Sequence, residues 1–170
     1  MPYLPLIFNY KPFYIQIGND NAIDTSTQWG MIAKENPYVA LPKPKEPYKN
    51  SWEDEDGDDE YNSVMKYEAF TFDVKFLIIT KDTTAGAVTT KAVTILRNQM
   101  DSFFDTVKQG EFKIFDSYTG LGRQRVRYDG YKEDDFKERN GKARVEFTVT
   151  FKVNDPVTLM KMSGNSIVTV

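Results

Sequence analysis

Arg144-Val145-Glu146-Phe147-Thr148-Val149-Thr150-Phe151-Lys152-Val153-Asn154-Asp155-Pro156 (RVEFTVTFKVNDP) alternates apolar and polar residues without a break through Val153. Val145, Phe147, Val149, Phe151 and Val153 fall on one face. Arg144, Glu146, Thr148, Thr150 and Lys152 fall on the other. This is the period of two that marks a strand with one buried side. Proline offers no backbone N–H to a ladder, so Asn154-Asp155-Pro156 ends the strand. A second stretch, YEAFTFDVKFLIIT over residues 67–80, repeats the pattern. Phe70, Phe72, Val74, Phe76 and Ile78 share a face, and Thr71, Asp73 and Lys75 oppose them. Leu77 and Ile79 break the polar face, which predicts cover on both sides at that end.

The period changes between these strands. Over residues 87–109 the apolar positions Val88, Ala92, Leu96, Met100, Phe103 and Val107 step by three or four. That spacing predicts an amphipathic helix. Thr83 or Thr84 would cap its start. Gly110 sits where a left-handed residue ends helices, and Lys108 lies near the negative helix terminus. Phe112-Lys113-Ile114-Phe115, a turn over Tyr118–Gly122 and the alternating RQRVRYDGY of residues 123–131 then predict further strands. Upstream, Phe13–Ile17 and Trp29–Ala33 read as short strands, with a turn at Gly18-Asn19-Asp20. MKMSGNSIVTV at the end reads as a loose tail or a short edge strand. The expected architecture is mainly β with one α-helix. It is an antiparallel β-sandwich or partly closed β-barrel with a flanking helix, in a single domain over residues 1–170.

Composition narrows the chemistry. The chain has 170 residues, with 12 Phe and 10 Tyr, and contains neither Cys nor His. The missing cysteine removes disulfides, thiolate metal sites and a cysteine nucleophile. The missing histidine removes the commonest general base, the commonest zinc ligand and any Ser-His-Asp triad. There is no Walker A sequence and no GxGxxG, and Gly120-Leu121-Gly122 is a turn. No apolar run is long enough to span a membrane. MPYLPLIFNYKPF at the start lacks a basic region and carries two prolines before its last, so it is no signal peptide. No enzyme, cofactor or metal is expected.

Charge is distributed unevenly. Pro37, Pro42, Pro44 and Pro47 make an extended segment that leads into WEDEDGDDEY, residues 52–61. Proline-rich and acidic residues together fill positions 34–62. WEDEDGDDEY holds seven carboxylates and no Lys or Arg, leaving 18 acids against 22 bases in the other residues. A chain of net charge −3 is thus mildly basic outside one acidic segment. Read as a calcium loop from Asp54, the segment has Asp59 where Gly belongs and Met65 where the closing Glu belongs. Two catalytic carboxylates on a rigid frame are also not apparent. The preferred reading is a contact surface in which Trp52 and Tyr61 anchor Asp54, Asp56, Asp58 and Asp59. Arg123, Arg125 and Arg127, at period two, supply guanidinium forks for such carboxylates, in the same chain or in an adjacent copy.

EFKIFDSYTGLGRQRVRYDGY (residues 111–131) followed by VEFTVTFKVNDP resembles the small tail proteins of long-tailed bacteriophages and prophages, in the distal tail or tail-tube group. WGMIAKENPY, LPKPKEPYKNSW and WEDEDGDDEY are similar to the front half of such proteins. The likeness spans residues 28–157. It implies a structural protein that self-associates into rings, commonly hexamers, around the DNA channel and joins neighbouring tail components. It implies assembly in the bacterial host cytoplasm and residence in the virion tail. Larger distal tail proteins carry a second, C-terminal domain, whereas this chain ends roughly a dozen residues after Asp155-Pro156. No sequence-specific nucleic-acid contact and no membrane is implied. The alternative is a carbohydrate- or surface-binding β-sandwich module in which Trp29, Trp52 or Tyr61 stacks on sugar rings.

Overall fold

The computed structural model describes residues 11–35, 42–51, 53, 56, 58–61 and 64–170. In chain order the elements begin β1 (Phe13–Gln16), β2 (Ile23–Asp24), α1 (Thr25–Trp29), β3 (Ile32–Glu35), β4 (Tyr48–Ser51) and β5 (Asp58–Tyr61). Then come β6 (Phe70–Lys81), β7 (Thr83–Ala85), β8 (Val88–Thr90), α2 (Ala92–Val107) and β9 (Phe112–Asp116). The last are β10 (Leu121–Arg139), β11 (Lys142–Val153), β12 (Leu159–Ser163) and β13 (Ser166–Thr169). Among the described residues the chain is mainly β, its strand pairs are antiparallel, and it has one long helix.

The main sheet runs β2-β1-β9-β10-β11-β6-β3, with β12 on β10 and β13 on β12. It does not close, but its two ends fold over each other. Phe13 on β1 lies 5.7 Å from Phe76 and 6.3 Å from Phe151, ring centre to ring centre. Two strands separate β1 from β11 along the sheet, so those contacts exist only because the sheet curls into a sandwich-like form. The corner is in β10. Arg123 pairs with Ile114 and Val126 with Phe112, leaving one extra residue on β10. Arg125 absorbs it with φ of 52°. Before this bulge β10 pairs with β9 and β12; from Val126 on it pairs with β11.

The apolar faces read from the sequence meet here. Val145, Phe147, Val149, Phe151 and Val153 are fully buried, as are Val74, Phe76 and Ile78. Lys142–Val153 pairs with Phe70–Lys81 along its whole length, so the two alternations stay in phase. α2 lays Ala92, Leu96, Met100, Phe103 and Val107 on this face. Phe103 meets Phe76 at 6.0 Å, and Phe104 reaches Tyr128 and Tyr131. Burying each such aromatic stabilises the fold by about 1.5–3 kcal/mol.

Several local expectations are corrected. Val88 does not enter the helix: Thr83–Ala85 and Val88–Thr90 form a hairpin, and α2 starts at Ala92. Neither Thr83 nor Thr84 caps it. The carboxylate of Asp82 accepts the Ala92 N–H at 2.7 Å, across the hairpin. Gly110 lies beyond the Lys108 cap with φ of 148°, outside the left-handed helical region. Trp29 belongs to a second, short helix, not to a strand. Asp24 caps that helix through the Ser26 N–H, and Gly30 ends it at φ of 65°. Ile79 is exposed, so the end of β6 is covered on one side only.

The C-terminal segment is not loose. β12 and β13 form a hairpin that buries Met160 and Ile167. Gln16, itself buried, accepts the Ile167 N–H at 2.6 Å and donates to the Asp20 carbonyl at 2.6 Å. Asp155 explains the Asp-Pro ending of β11. It accepts the N–H groups of Val157 and Thr158 and the Gln124 amide, and so fixes the turn into β12.

Candidate interaction surfaces

The acidic segment is partly a strand. Asp58–Tyr61 pairs with Tyr48–Ser51, setting Glu60 opposite Lys49, Asp59 opposite Asn50 and Asp58 opposite Ser51. Among the described residues this hairpin forms its own two-stranded sheet and pairs with no other strand. Its base is held by a bridge between Pro44 and Tyr67. Glu53 and Asp56 are exposed. Trp52 and Asp54 lie outside the described residues, and of Asp58, Asp59 and Tyr61 only the backbone is described. The anchoring role assigned to Trp52 and Tyr61 therefore falls outside them as well.

The three arginines do not share a face. The bulge at Arg125 breaks the period of two between Arg123 and Arg127. Arg123 is buried: it donates to the Pro156 carbonyl at 3.2 Å, and its guanidinium lies 5.7 Å from the centre of the Phe70 ring. Burial opposes its charge, while Asp155 favours it. Arg125 is exposed and pairs with Glu111 at 3.2 Å, and Asn154 donates to the other Glu111 oxygen. The Arg125 hydrogen bond, helped by that from Asn154, holds the Glu111 carboxyl below its usual range against an opposing burial cost. Arg127 is exposed beside Asp129 at 3.6 Å. Arg125 and Arg127 thus remain available at the surface, and Arg123 belongs to the turn that Asp155 builds.

A broader basic surface lies on the outward side of β6, β11 and β10. Residues paired directly across antiparallel strands point the same way. One outward row is therefore Arg139–Lys142–Lys81, and the next is Lys137–Arg144–Ile79. Farther along come Lys132–Thr148–Lys75 and Arg127–Lys152–Thr71. Carboxylates interrupt the middle of this face. Glu146, nearly buried, accepts from Lys34 at 2.9 Å and from Arg144. Those two hydrogen bonds, Lys34 first, lower its pKa against some desolvation. Asp135 pairs with Lys137 at 3.2 Å, and Asp73 takes the Thr150 hydroxyl at 2.6 Å. At the tip, Lys81, Arg139 and Lys142 face no carboxylate within ion-pair distance among the described residues. The sequence held the signal for this face: the polar halves of two alternating strands carry mostly Lys and Arg at their shared end. Pairing register decides which of these residues become neighbours, and that register is not carried by the alternation itself.

A cleft of about 230 Å³ opens between α2 and β10, lined by Arg97, Met100, Asp101, Phe104, Lys108 and the two tyrosines Tyr128 and Tyr131. Burial pushes the Tyr131 phenol up to about 12, and Glu133, hydrogen-bonded to it, adds to the effect. Trp29 cannot stack on a sugar: it is buried against Phe103 and donates its indole N–H to Ser102 at 3.2 Å. No helix among the described residues is long and apolar enough to cross a membrane.

No protein-family model and no curated protein matches the chain. Among solved structures, the fold is similar to that of the Dit (gp 19.1) protein of phage SPP1, described as a paradigm of the hub adsorption apparatus in phages that infect Gram-positive bacteria. The TM-score is 0.55 at 15% identity, over 88% of this chain and 52% of that one. The chain thus spans about half the length of the structure it resembles, and what the two share is the fold.

Proposed function

We propose that this protein is a structural component of a phage or prophage tail, of the distal tail type. In this reading it self-associates into a ring around the DNA channel and joins neighbouring tail proteins. It is made in the bacterial host cytoplasm, resides in the virion tail and catalyses no reaction. The observation that carries the reading is the fold shared with SPP1 Dit over most of this chain. The charge layout supports it. A ring closes through head-to-tail contacts, so each copy must present two different, complementary surfaces. The acidic hairpin and the basic outward face of β6, β10 and β11 are such a pair. Complementary charge of this kind sets register and speeds encounter. The burial of Trp29 leaves the carbohydrate-binding alternative without one of its three aromatic platforms.

The test is to locate the protein in particles. Gold-labelled antibody against the chain, applied to tailed particles induced from the producing strain, is expected to mark one position on the tail. Particles that lack the protein altogether would count decisively against the reading.

A further inference from the structure

We propose that the tip of the β6–β11–β10 sheet is the docking site for the acidic β4–β5 hairpin of a second copy. This rests on the self-association proposed above and names its two surfaces. The tip cations are Lys81, Arg139 and Lys142, one row on three adjacent strands, with Lys137 and Arg144 in the row behind. Strands stand about 4.8 Å apart, so a row spans a width that an approaching hairpin edge can match. Asp82 is near, but its carboxylate is committed to the Ala92 N–H and to Lys91 at 3.3 Å. The row is built on a rigid support: β11 pairs on both sides, and the Asp82 N–H donates to the Gly141 carbonyl at 2.7 Å.

The hairpin belongs to another copy because its own cannot reach. The bridge between Pro44 and Tyr67 fixes the base of the hairpin near the start of β6. From Pro44 to the Ser51–Asp58 pair the chain extends at most about 25 Å. From Phe70 to Lys81, along twelve residues of β6, the sheet runs about 36 Å. The acids of β5 therefore fall short of the tip of their own subunit. The hairpin is rooted beside the start of β6 and the cations sit at its end, which is a layout suited to a repeating head-to-tail contact. Nucleic acid is the other polyanion that such a face could meet. The acidic segment favours the protein partner, because the chain itself carries the complement and its net charge of −3 repels DNA elsewhere.

Two variants test this. Lys81→Glu/Arg139→Glu/Lys142→Glu reverses the tip, and Asp58→Lys/Asp59→Lys/Glu60→Lys reverses the hairpin. Lys81, Arg139 and Lys142 are exposed, and circular dichroism checks each fold. Should the triple tip variant misfold, Lys142→Gln serves with the same readout at smaller amplitude. Each variant alone is expected to self-associate at least about tenfold more weakly at low salt. Mixed in equal amounts, they are expected to associate again, since the basic hairpin of one then meets the acidic tip of the other. Tip-variant assembly equal to wild type, where wild type assembles, would overturn this inference and leave self-association standing. Wild type that stays monomeric would overturn both. Binding of a 30-base-pair duplex that the tip variant loses, with assembly unchanged, would assign the tip to DNA and overturn it too.

Discussion

Single residues hold the corner of this fold. At Gly122 a Cβ would lie 2.5 Å from the Met160 carbonyl oxygen, so β12 can pair with β10 only because this side chain is absent. Gly130, in the same strand, would place a Cβ at an ordinary 3.6 Å from Thr150. Gly122→Ala is expected to lower stability by about 1–3 kcal/mol, and Gly130→Ala to leave it nearly unchanged, in urea unfolding followed by tryptophan fluorescence. Equal effects would show that the close approach is not what matters. Asp155 adds a pH dependence. Burial opposes its charge, but the Gln124 amide and the Thr158 and Val157 groups outweigh it and hold the carboxyl at about 2, below its ordinary 3.8. A folded pKa below the unfolded one means stability that is present above 3.8 and lost as pH falls through about 2. The advantage of wild type over Asp155→Asn, measured by thermal melting, should therefore be full at pH 5 and mostly gone at pH 2. A constant difference across that range would refute the role of the charge.

Elements were legible where one face is buried throughout. β11, β6 and α2 announce themselves because Phe147, Phe76 and Phe103 recur at a fixed period and meet in one core. Tight turns carry their signal in residue identity rather than in period. Asn140-Gly141 is a two-residue hairpin turn with φ of 51° and 69°, and it joins the two longest paired strands. Asn-Gly is the preferred pair for such a turn, because both positions need positive φ. Gly141→Ala should cost about 1–2 kcal/mol, read as a lower denaturation midpoint, whereas a change at exposed Val88 should cost little. The start of α2 was misplaced because Val88 fits the helical period by coincidence. A short hairpin, closed by Thr84 and Thr89 at 3.1 Å, takes that stretch instead. The Arg123–Arg127 alternation failed for a related reason. One bulge shifts the phase of every residue after it, and a bulge leaves no mark in a hydrophobic pattern. β12 and β13 were half legible: Ile167 is buried, and its N–H is held by the side chain of Gln16, distant in sequence.

At the scale of the molecule, charge is segregated more sharply than composition suggests. The sequence shows an acidic segment in a basic remainder, and the fold gathers much of that remainder into one outward sheet face. An acidic hairpin and a basic sheet face on one chain suit the repeat contacts proposed above. Such contacts weaken as salt shortens the screening length from about 10 Å at 0.1 M to about 3 Å at 1 M. Native mass spectrometry of the purified chain, over a concentration series at low salt and again after exposure to 1 M salt, tests self-association most directly. The account predicts one closed oligomer that grows with concentration at low salt and dissociates at high salt. A monomer at every concentration and salt would contradict it.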